Sequence, residues 1–444
     1  MSAPFVSQSY RSWGGVTRTA RPVAHPKWRQ ELAGLLGGAR DRGDVLGVGL
    51  GRSYGDSGLD AGGRLICGRG LDRFMAFDPQ TGVLRAEAGA SLDDILQLVA
   101  PRGWFLPTTP GTRFVTLGGA VANDVHGKNH HRAGSFGLHV RRLGLIRSDR
   151  GALELSREQE PQLFFATLGG LGLTGFIAWV ELQLAPTPSS FLDQEAIGFS
   201  GLDGYFDLLA DSHDRFEHVA AWIDCSATGG GLGRGVMFRA NWSAEGGLVT
   251  HERRLKLTLP LEAPGWVLNR WSVGAFNSLY YSVHGSRHGL RRIPYAAGFY
   301  PLDAIGGWNR LYGRAGFFQH QSVIPEGVAR EAVRKMLERI SASGQGSFLA
   351  VLKSFGGKDS GGLVSFPRPG ASLALDFPNR GAETLDLLDR LDAIVADAGG
   401  RIYPAKDGRM SAAMFQQGYP RWRALEALRD PSFQSAFWRR VTQS

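Results

Sequence analysis

Between Gly111 and Val140 the chain reads GTRFVTLGGAVANDVHGKNHHRAGSFGLHV, a stretch of glycine, histidine and small polar residues with few side chains suited to a packed core. Each interior glycine costs a helix about 1 kcal/mol relative to alanine, and a strand needs side chains to pack. The stretch is therefore expected as a long loop. Its glycines permit positive φ and let main-chain N–H groups approach a guest closely. A curled run of such amides favours an anion such as phosphate. Asn123, His126, Lys128, Asn129, His130 and His131 add donors to the same segment. A second glycine loop lies upstream, where the apolar run Val45–Val48, expected as a strand, opens into Gly49-Leu50-Gly51-Arg52-Ser53-Tyr54-Gly55-Asp56. Two such loops suit a diphosphate or an extended cofactor.

At 444 residues the chain exceeds one ordinary core, so two domains or one large composite domain are expected. With 43% hydrophobic and 20% charged residues, it reads as folded and soluble. The net charge of +9 suits an anionic partner or simply an arginine-rich chain. The arginines come in short pairs, Arg141-Arg142, Arg253-Arg254, Arg291-Arg292 and Arg439-Arg440, without a long basic run, so nucleic acid is not an expected partner. Cys67 and Cys225 form no C-x-x-C pattern and read as small core residues. His126 with His130-His131 invites a metal, but the chain offers no obvious cysteine or carboxylate set to complete a site, and none is expected. No stretch reaches the roughly 18 to 20 apolar residues of a spanning helix, and MSAPFVSQSYRSWGG has no apolar signal-peptide core. The expected location is the cytoplasm, soluble or peripheral to a membrane.

Strand-like runs at Arg64–Cys67 and Val83–Ala88, a short helix near Pro26–Gly38 and a helix capped by Ser91 alternate along the first part, as in an α+β or α/β domain. Gly170-Leu171-Gly172-Leu173-Thr174-Gly175 fits the G-x-G-x-x-G dinucleotide pattern. That pattern requires a strand before it and a helix after it, whereas here a helix at Pro161–Leu168 precedes and a strand at Phe176–Leu184 follows. A tight helix-to-strand turn explains these glycines, whose backbone can still line a pocket. Pro186-Thr187-Pro188-Ser189-Ser190 reads as a linker. Beyond it, strands are expected at Ala220–Ile223 and Val236–Arg239 and helices at Val328–Ile340 and Glu383–Ala398. From Thr250 to Tyr300, Trp266, Trp271, Tyr280, Tyr281 and Tyr295 mix with Arg270, Arg287, Arg291 and Arg292 without a clear helical period. This composition suits an interfacial surface or a packed loop or lid.

The phrases GLGRSYGD, VTLGGAVANDVHGKNHHRAGSFG and LFFATLGGLGLTG resemble the PCMH-type flavin-binding domain of the vanillyl-alcohol-oxidase superfamily, and within it the decaprenylphosphoryl-β-D-ribose 2-oxidase subgroup. AAWID, FYPLD, GGWNRLYGRAGFFQHQSVIP, FLAVLKSFG, LALDFP and GGRIYPAKD extend the likeness over nearly the whole chain. The resemblance implies an α+β fold in which a two-subdomain FAD-binding domain at 1–188 is interrupted by an antiparallel-sheet substrate domain at 189–400, with 401–444 returning to the first. It implies non-covalent FAD along Gly51, Arg52, Ser53, Tyr54, Gly55, Thr116, Gly118, Gly119, Asn123, Gly127, Asn129 and Gly175. It also places His126, Lys128, Trp222, Gln319, Gln321, Lys353 and Lys406 around the flavin ring and substrate. The implied reaction oxidises the 2-hydroxyl of a polyprenyl-phosphoryl ribose to the 2-keto sugar, by hydride transfer to flavin N5. A separate short-chain reductase would complete epimerisation to the arabinose lipid for cell-wall glycans.

Such a reaction needs the substrate carbon held against the flavin beside a base, while the cofactor carries the electron chemistry. Lysine is scarce here, which makes Lys406 in the turn Tyr403-Pro404-Ala405-Lys406-Asp407 conspicuous. A desolvated lysine can act as a base or remain charged and stabilise reduced flavin. Tyr54 and His126 complete the expected catalytic set. Gln319 and Gln321 alternate on an expected strand and so point the same way, toward a sugar hydroxyl. Two departures from the subgroup stand out. Ala374 occupies a position that is cysteine in many members, so thiol-directed inhibitors should fail. The FYPLD segment is about one residue short, which leaves Phe299 and Tyr300 unassigned. The alternatives are an FAD oxidase of a soluble alditol, aldonolactone or other sugar, and a flavin-free binding protein on the same fold.

Overall fold

The computed structural model describes residues 4–37, 44–59, 62–251, 257–286 and 289–443, so Arg253, Arg254 and Arg287 lie outside the described residues. The chain opens with β1 (Val6–Arg11), β2 (Arg18–Ala24), α1 (Gln30–Leu36), β3 (Val45–Val48) and β4 (Arg64–Cys67). The strands form a four-stranded sheet in the order β1-β2-β4-β3, and β4 runs parallel to both β2 and β3. Parallel neighbours need a crossover; α1 lies in that connection and buries Leu32, Leu35 and Leu36. Cys67 and Cys225 are both buried free thiols.

A five-stranded antiparallel sheet follows, built from β5 (Phe74–Asp78), β6 (Val83–Glu87), β7 (Val140–Arg147), β8 (Gly151–Ser156) and β9 (Phe176–Gln183) in the order β5-β6-β9-β7-β8. Its covering helix α2 (Leu92–Val99) starts at the expected Ser91, whose hydroxyl accepts from Asp94 N while the Asp94 carboxylate accepts from Ser91 N.

Within Gly111–Val140 the structure corrects the expectation of a loop without helices. Leu117–Ala122 forms α3, His130–Ala133 forms α4, and Phe136–His139 adds a 3-10 turn. Thr116 caps α3 by accepting from Gly119 N, and Leu117, Ala120, Val121 and Phe136 are buried in the core. Tertiary burial therefore offsets the poor helix propensity of the glycines. Gly118 is needed for close approach, since a Cβ there would stand 2.9 Å from that of Ala88. Downstream, α5 (Pro161–Thr167) leads into β9, the order that rules against a dinucleotide fingerprint at Gly170–Gly175. Gly169, Leu171, Gly172 and Gly175 all have positive φ in this tight turn.

The largest sheet comprises β10 (Phe191–Phe199), β11 (His218–Ile223), β12 (Gly235–Trp242), β13 (Arg291–Pro294), β14 (Phe317–Ile324), β15 (Ala350–Phe355), β16 (Gly370–Pro378) and β17 (Arg401–Ile402). Its order is β13-β10-β12-β11-β15-β16-β14-β17, with antiparallel neighbours throughout. Against it pack α6 (Leu202–His213), α7 (Arg270–Gly285), α8 (Glu326–Ser343) and α9 (Ala382–Asp397). α8 buries Ala329, Val333, Met336, Leu337 and Ile340, one helical stripe. The expectation that residues 250–300 lack a helix is corrected by α7, sixteen residues long and capped by Asn269. Its period is masked because apolar residues occupy the outward face as well as the inward one.

After β17 the chain returns to the first sheet. Val45 N donates to Ser432 O, Gln434 N donates to Val45 O, and Arg440 forks onto Asp56. Trp438 is fully buried in the core that also holds Leu46 and Leu65.

One residue joins these parts at the centre. Asp124, fully buried with φ of 40°, accepts from Ser135 Oγ, Gly137 N, Ser360 Oγ and Ser365 Oγ at 2.5–2.8 Å. Asp124→Ala would strand four donors in a dry interior, a loss of about 3 kcal/mol or more. A lowered unfolding midpoint of the flavin-bound protein checks this.

Candidate active site

A cavity of about 360 Å³, within the size range of small-molecule sites, lies where the glycine loops, the Gly170–Gly175 turn, β14, β15 and the turn after β17 converge. The loop after β3 contributes Gly51, Arg52, Ser53, Tyr54 and Gly55, and the start of α3 contributes Thr116, Gly118, Gly119 and Asn123. Gly175, His126, Gln319, Gln321, Lys353 and Lys406 also line it. Segments more than 300 residues apart in sequence thus meet in one cavity, from Gly51 to Lys406.

The glycine end is built for close backbone approach. A Cβ at Gly49 would stand 2.3 Å from Thr116 Oγ1, and one at Gly119 2.9 Å from the same oxygen. Gly51 sits at φ +63°, open to an ordinary side chain only at the cost of strain. Arg52 is fixed over the Trp13 ring at 3.9 Å and donates Nε to Phe114 O at 3.1 Å. Gly55 presses on the far turn: its Cβ would fall 1.7 Å from Asp407 O, and Tyr54 N donates to Ala405 O.

At the other end the chemistry is cationic and dry. Lys406 Nζ lies 3.8 Å over the ring of buried Tyr54, and burial holds its pKa below the usual lysine value while the Asp376 carboxylate opposes that shift. Burial pushes Asp376 well up. The Gln319 amide donates to its Oδ1, and its Oδ2 has no hydrogen-bond partner among the described residues. Lys353 is pushed down to about 7 by burial, with Lys128 and Lys406 adding repulsion. The Gln321 amide donates to His126 Nε2 at 3.1 Å, making that nitrogen the acceptor and leaving the ring proton on Nδ1. His126 Nδ1 is buried without a partner, and burial followed by Lys353 keeps the imidazole neutral.

Four expected site residues stand outside this lining. Gly127 packs on Thr108 and Thr109, and the Asn129 side chain joins Pro107 O and Thr108 Oγ1. Lys128 donates to Gly298 O at 2.6 Å, beside a small cavity of about 60 Å³ shared with Glu217 and His218. Burial pushes Lys128 down to about 8. Trp222 donates Nε1 to Phe348 O and stacks its ring near Tyr280 of α7. Phe299 lines the small cavity and Tyr300 OH pairs with Thr109 Oγ1. His130 Nδ1 accepts from Gly356 N and His131 faces Phe216 O; among the described residues no cluster of three His, Cys, Asp or Glu is placed to hold a metal.

Sequence reasoning missed Asp376, Tyr403 and Trp13. Tyr403 lines the cavity and bonds Asn123 O. Asp376 had one signal, a charge two residues past Ala374 on a strand otherwise apolar. Trp13 lies in a segment without pattern.

The glycine cradle, with Cβ positions already filled by neighbours, and the unpartnered His126 Nδ1 fit a bound flavin nucleotide. Residues 20–155 match the FAD binding domain family. The protein is an FAD-dependent oxidoreductase acting on a CH–OH group. Over 96% of its length it is 34% identical to the decaprenylphosphoryl-beta-D-ribose oxidase of Mycolicibacterium smegmatis, covering 95% of that protein, and it belongs to this family. An uncharacterized protein in the mprA 5' region of Streptomyces coelicolor is also 34% identical, over 77% of this chain and 96% of the relative. The L-gulono-1,4-lactone dehydrogenase of Mycobacterium tuberculosis is 22% identical over 96% of both chains.

Two outcomes follow from this geometry. Gly55→Ala should purify with substoichiometric FAD, read from flavin absorbance per protein, because the added methyl forces the two turns apart. Ala374 pairs across the sheet with Gln321 and Val351, so its side chain shares the face of Gln321. Thiol-directed inhibitors should spare the wild type, and Ala374→Cys should gain time-dependent inactivation.

Proposed function

We propose that this flavoenzyme oxidises the 2-hydroxyl of a polyprenyl-phosphoryl-β-D-ribose to the 2-keto sugar, the first half of an epimerisation that yields the arabinose lipid for cell-wall glycan synthesis. The observation that carries this reading is the chain-long likeness to the Mycolicibacterium smegmatis oxidase, joined to a cavity whose reactive end gathers Lys406, Tyr54 and His126. In this reading residues 1–188 and 401–444 hold the cofactor and 189–400 the substrate. Gly51 to Gly55, Thr116, Gly118, Gly119, Asn123 and Gly175 follow the FAD, with Gly127 and Asn129 shaping the same loop from behind. In this reading FAD is bound without a covalent bond.

Bound FAD supplies the two-electron acceptor. Lys406, its amine brought down to about 8 by burial and held over the Tyr54 ring, takes the hydroxyl proton in its deprotonated form as the C2 hydride leaves for that acceptor. Gln319 and Gln321 orient the sugar hydroxyls, while Lys353, Lys128 and Trp222 form the substrate side. A short-chain reductase is the expected partner that reduces the keto sugar. No described helix is long and apolar enough to cross a membrane, and peripheral contact would bring the enzyme to its lipid.

The full-length likeness to L-gulono-1,4-lactone dehydrogenase favours, at lower identity, a soluble aldonolactone or alditol instead. Anaerobic bleaching of the flavin separates the two: prenyl-phosphoryl ribose should bleach it, and bleaching by free sugars alone would exclude the lipid.

Lys406→Ala should slow flavin reduction by about 10²- to 10⁴-fold. In the wild type the reduction rate should rise with pH to a plateau reached below the ordinary lysine range, because burial lowers the amine's pKa. A rate in the variant equal to wild type, or a wild-type rate that falls as pH rises, would remove Lys406 from the role of base.

A further inference from the structure

Ten of the sixteen large hydrophobic side chains that stand exposed among the described residues lie between Leu248 and Leu290. Isolated exposed hydrophobics are ordinary, but a concentration of this kind marks a contact surface. α7 shows how it arises. Val273, Asn277, Tyr280 and His284 form the arc turned toward the protein, while Trp271, Phe276, Leu279 and Val283 lie on the adjoining outward arc, with Trp271 73% and Leu279 65% exposed. Trp266, 75% exposed, sits just before the helix.

The charge along the segment that carries α7 is mainly basic. From Leu257 to Phe299 the sequence holds a single carboxylate, Glu262, and that is taken up by Arg11 at 2.8 Å. Arg270 and Arg291 stand exposed before and after the helix, the former with its guanidinium 4.4 Å from the Trp271 ring. Tryptophan, leucine and arginine, with the one acid of this segment already paired, match the boundary of an anionic bilayer, where apolar rings enter the headgroup layer and cations meet lipid phosphates. The surface also adjoins the sheet that carries Gln321: Tyr280, on the inner arc, packs against Trp222, which pairs through Val351 and Ala374 with Gln321, and Phe276 meets Phe348 edge-on.

We propose that the outward arc of α7, with Trp266 and the flanking arginines, docks on an anionic phospholipid bilayer and turns the Trp222 end of the large sheet toward the membrane. Its purpose rests on the polyprenyl-phosphate reading above; the docking itself does not. A lipid-linked sugar could then reach the enzyme while its chain stays in the bilayer.

The test is co-sedimentation of the FAD-loaded protein with phosphatidylcholine vesicles that contain or lack phosphatidylglycerol. The wild type should sediment with the phosphatidylglycerol vesicles and stay in solution with the neutral ones. Trp271→Ser/Leu279→Ser should bind about tenfold more weakly or worse, with unchanged flavin content and melting. Equal sedimentation of variant and wild type, indifference of the wild type to lipid charge, or a lipid-free dimer that the double variant dissolves would each overturn the proposal, the last by naming a second copy as the occupant. A short-chain, water-soluble prenyl-phosphoryl ribose keeps the two readings apart. The double variant should turn it over normally and lose activity on the long-chain lipid in vesicles. If the wild type oxidises neither, the functional reading fails while vesicle binding still judges the surface.

Discussion

The carboxylate of Asp124 is the interaction on which the site depends. A buried charge is tolerable only when its lone pairs are filled, and here four donors fill them from both the glycine-rich segment and residues 360–365. The main chain at Asp124 is held in a left-handed conformation, which turns the segment from α3 toward His126. The loop that lines the cavity is therefore fixed by a polar knot at its back. Its front can stay rich in glycine and poor in side chains without becoming loose.

The cavity's electrostatics follow from what surrounds it. Lys353, Lys406 and His126 are all desolvated; cationic neighbours push Lys353 and His126 further from their charged forms, while Asp376 draws Lys406 back toward its own. Asp376 is the one buried carboxylate among them, tied to Gln319 on the neighbouring strand. An environment of this kind makes the lysines give up their protons more readily than lysines in water. It is suited to accept a proton when an alkoxide-like oxygen forms and to hold negative charge afterwards.

Much of this was legible from residue order. The strand at Val45–Val48 opening into a glycine loop, the Ser91 cap, the reversed context of Gly170–Gly175 and the shared direction of Gln319 and Gln321 all rest on local rules, and local geometry obeys them. Two helices escaped the same rules for opposite reasons. α3 has a propensity too poor to read as helical, and forms because Thr116 caps it and the core buries its apolar side. α7 carries apolar residues on two adjoining arcs, so no amphipathic period survives in the sequence. Asp376 shows in the sequence only as a lone charge on an apolar strand, because its meaning comes from Lys406 and Tyr54, which only the fold brings near. Lys128 and Trp222 are residues of the expected kinds whose side chains bond to Gly298 O and Phe348 O at the edge of the cavity, a placement that spacing alone does not reveal.

The contact of Gly55 with Asp407, described above as a steric fit, also sets a schedule. One stretch of the cavity wall, Gly51–Gly55, lies in the first eighth of the chain, and the turn it meets, with Ala405 and Lys406, lies in the last tenth. During synthesis Tyr54 N emerges long before its acceptor, Ala405 O, and the Ser432 contact that anchors β3 comes later still. A pocket assembled from such distant segments closes slowly and all at once. The wall that Tyr54 and Lys406 share can therefore form only after residue 406 has been made.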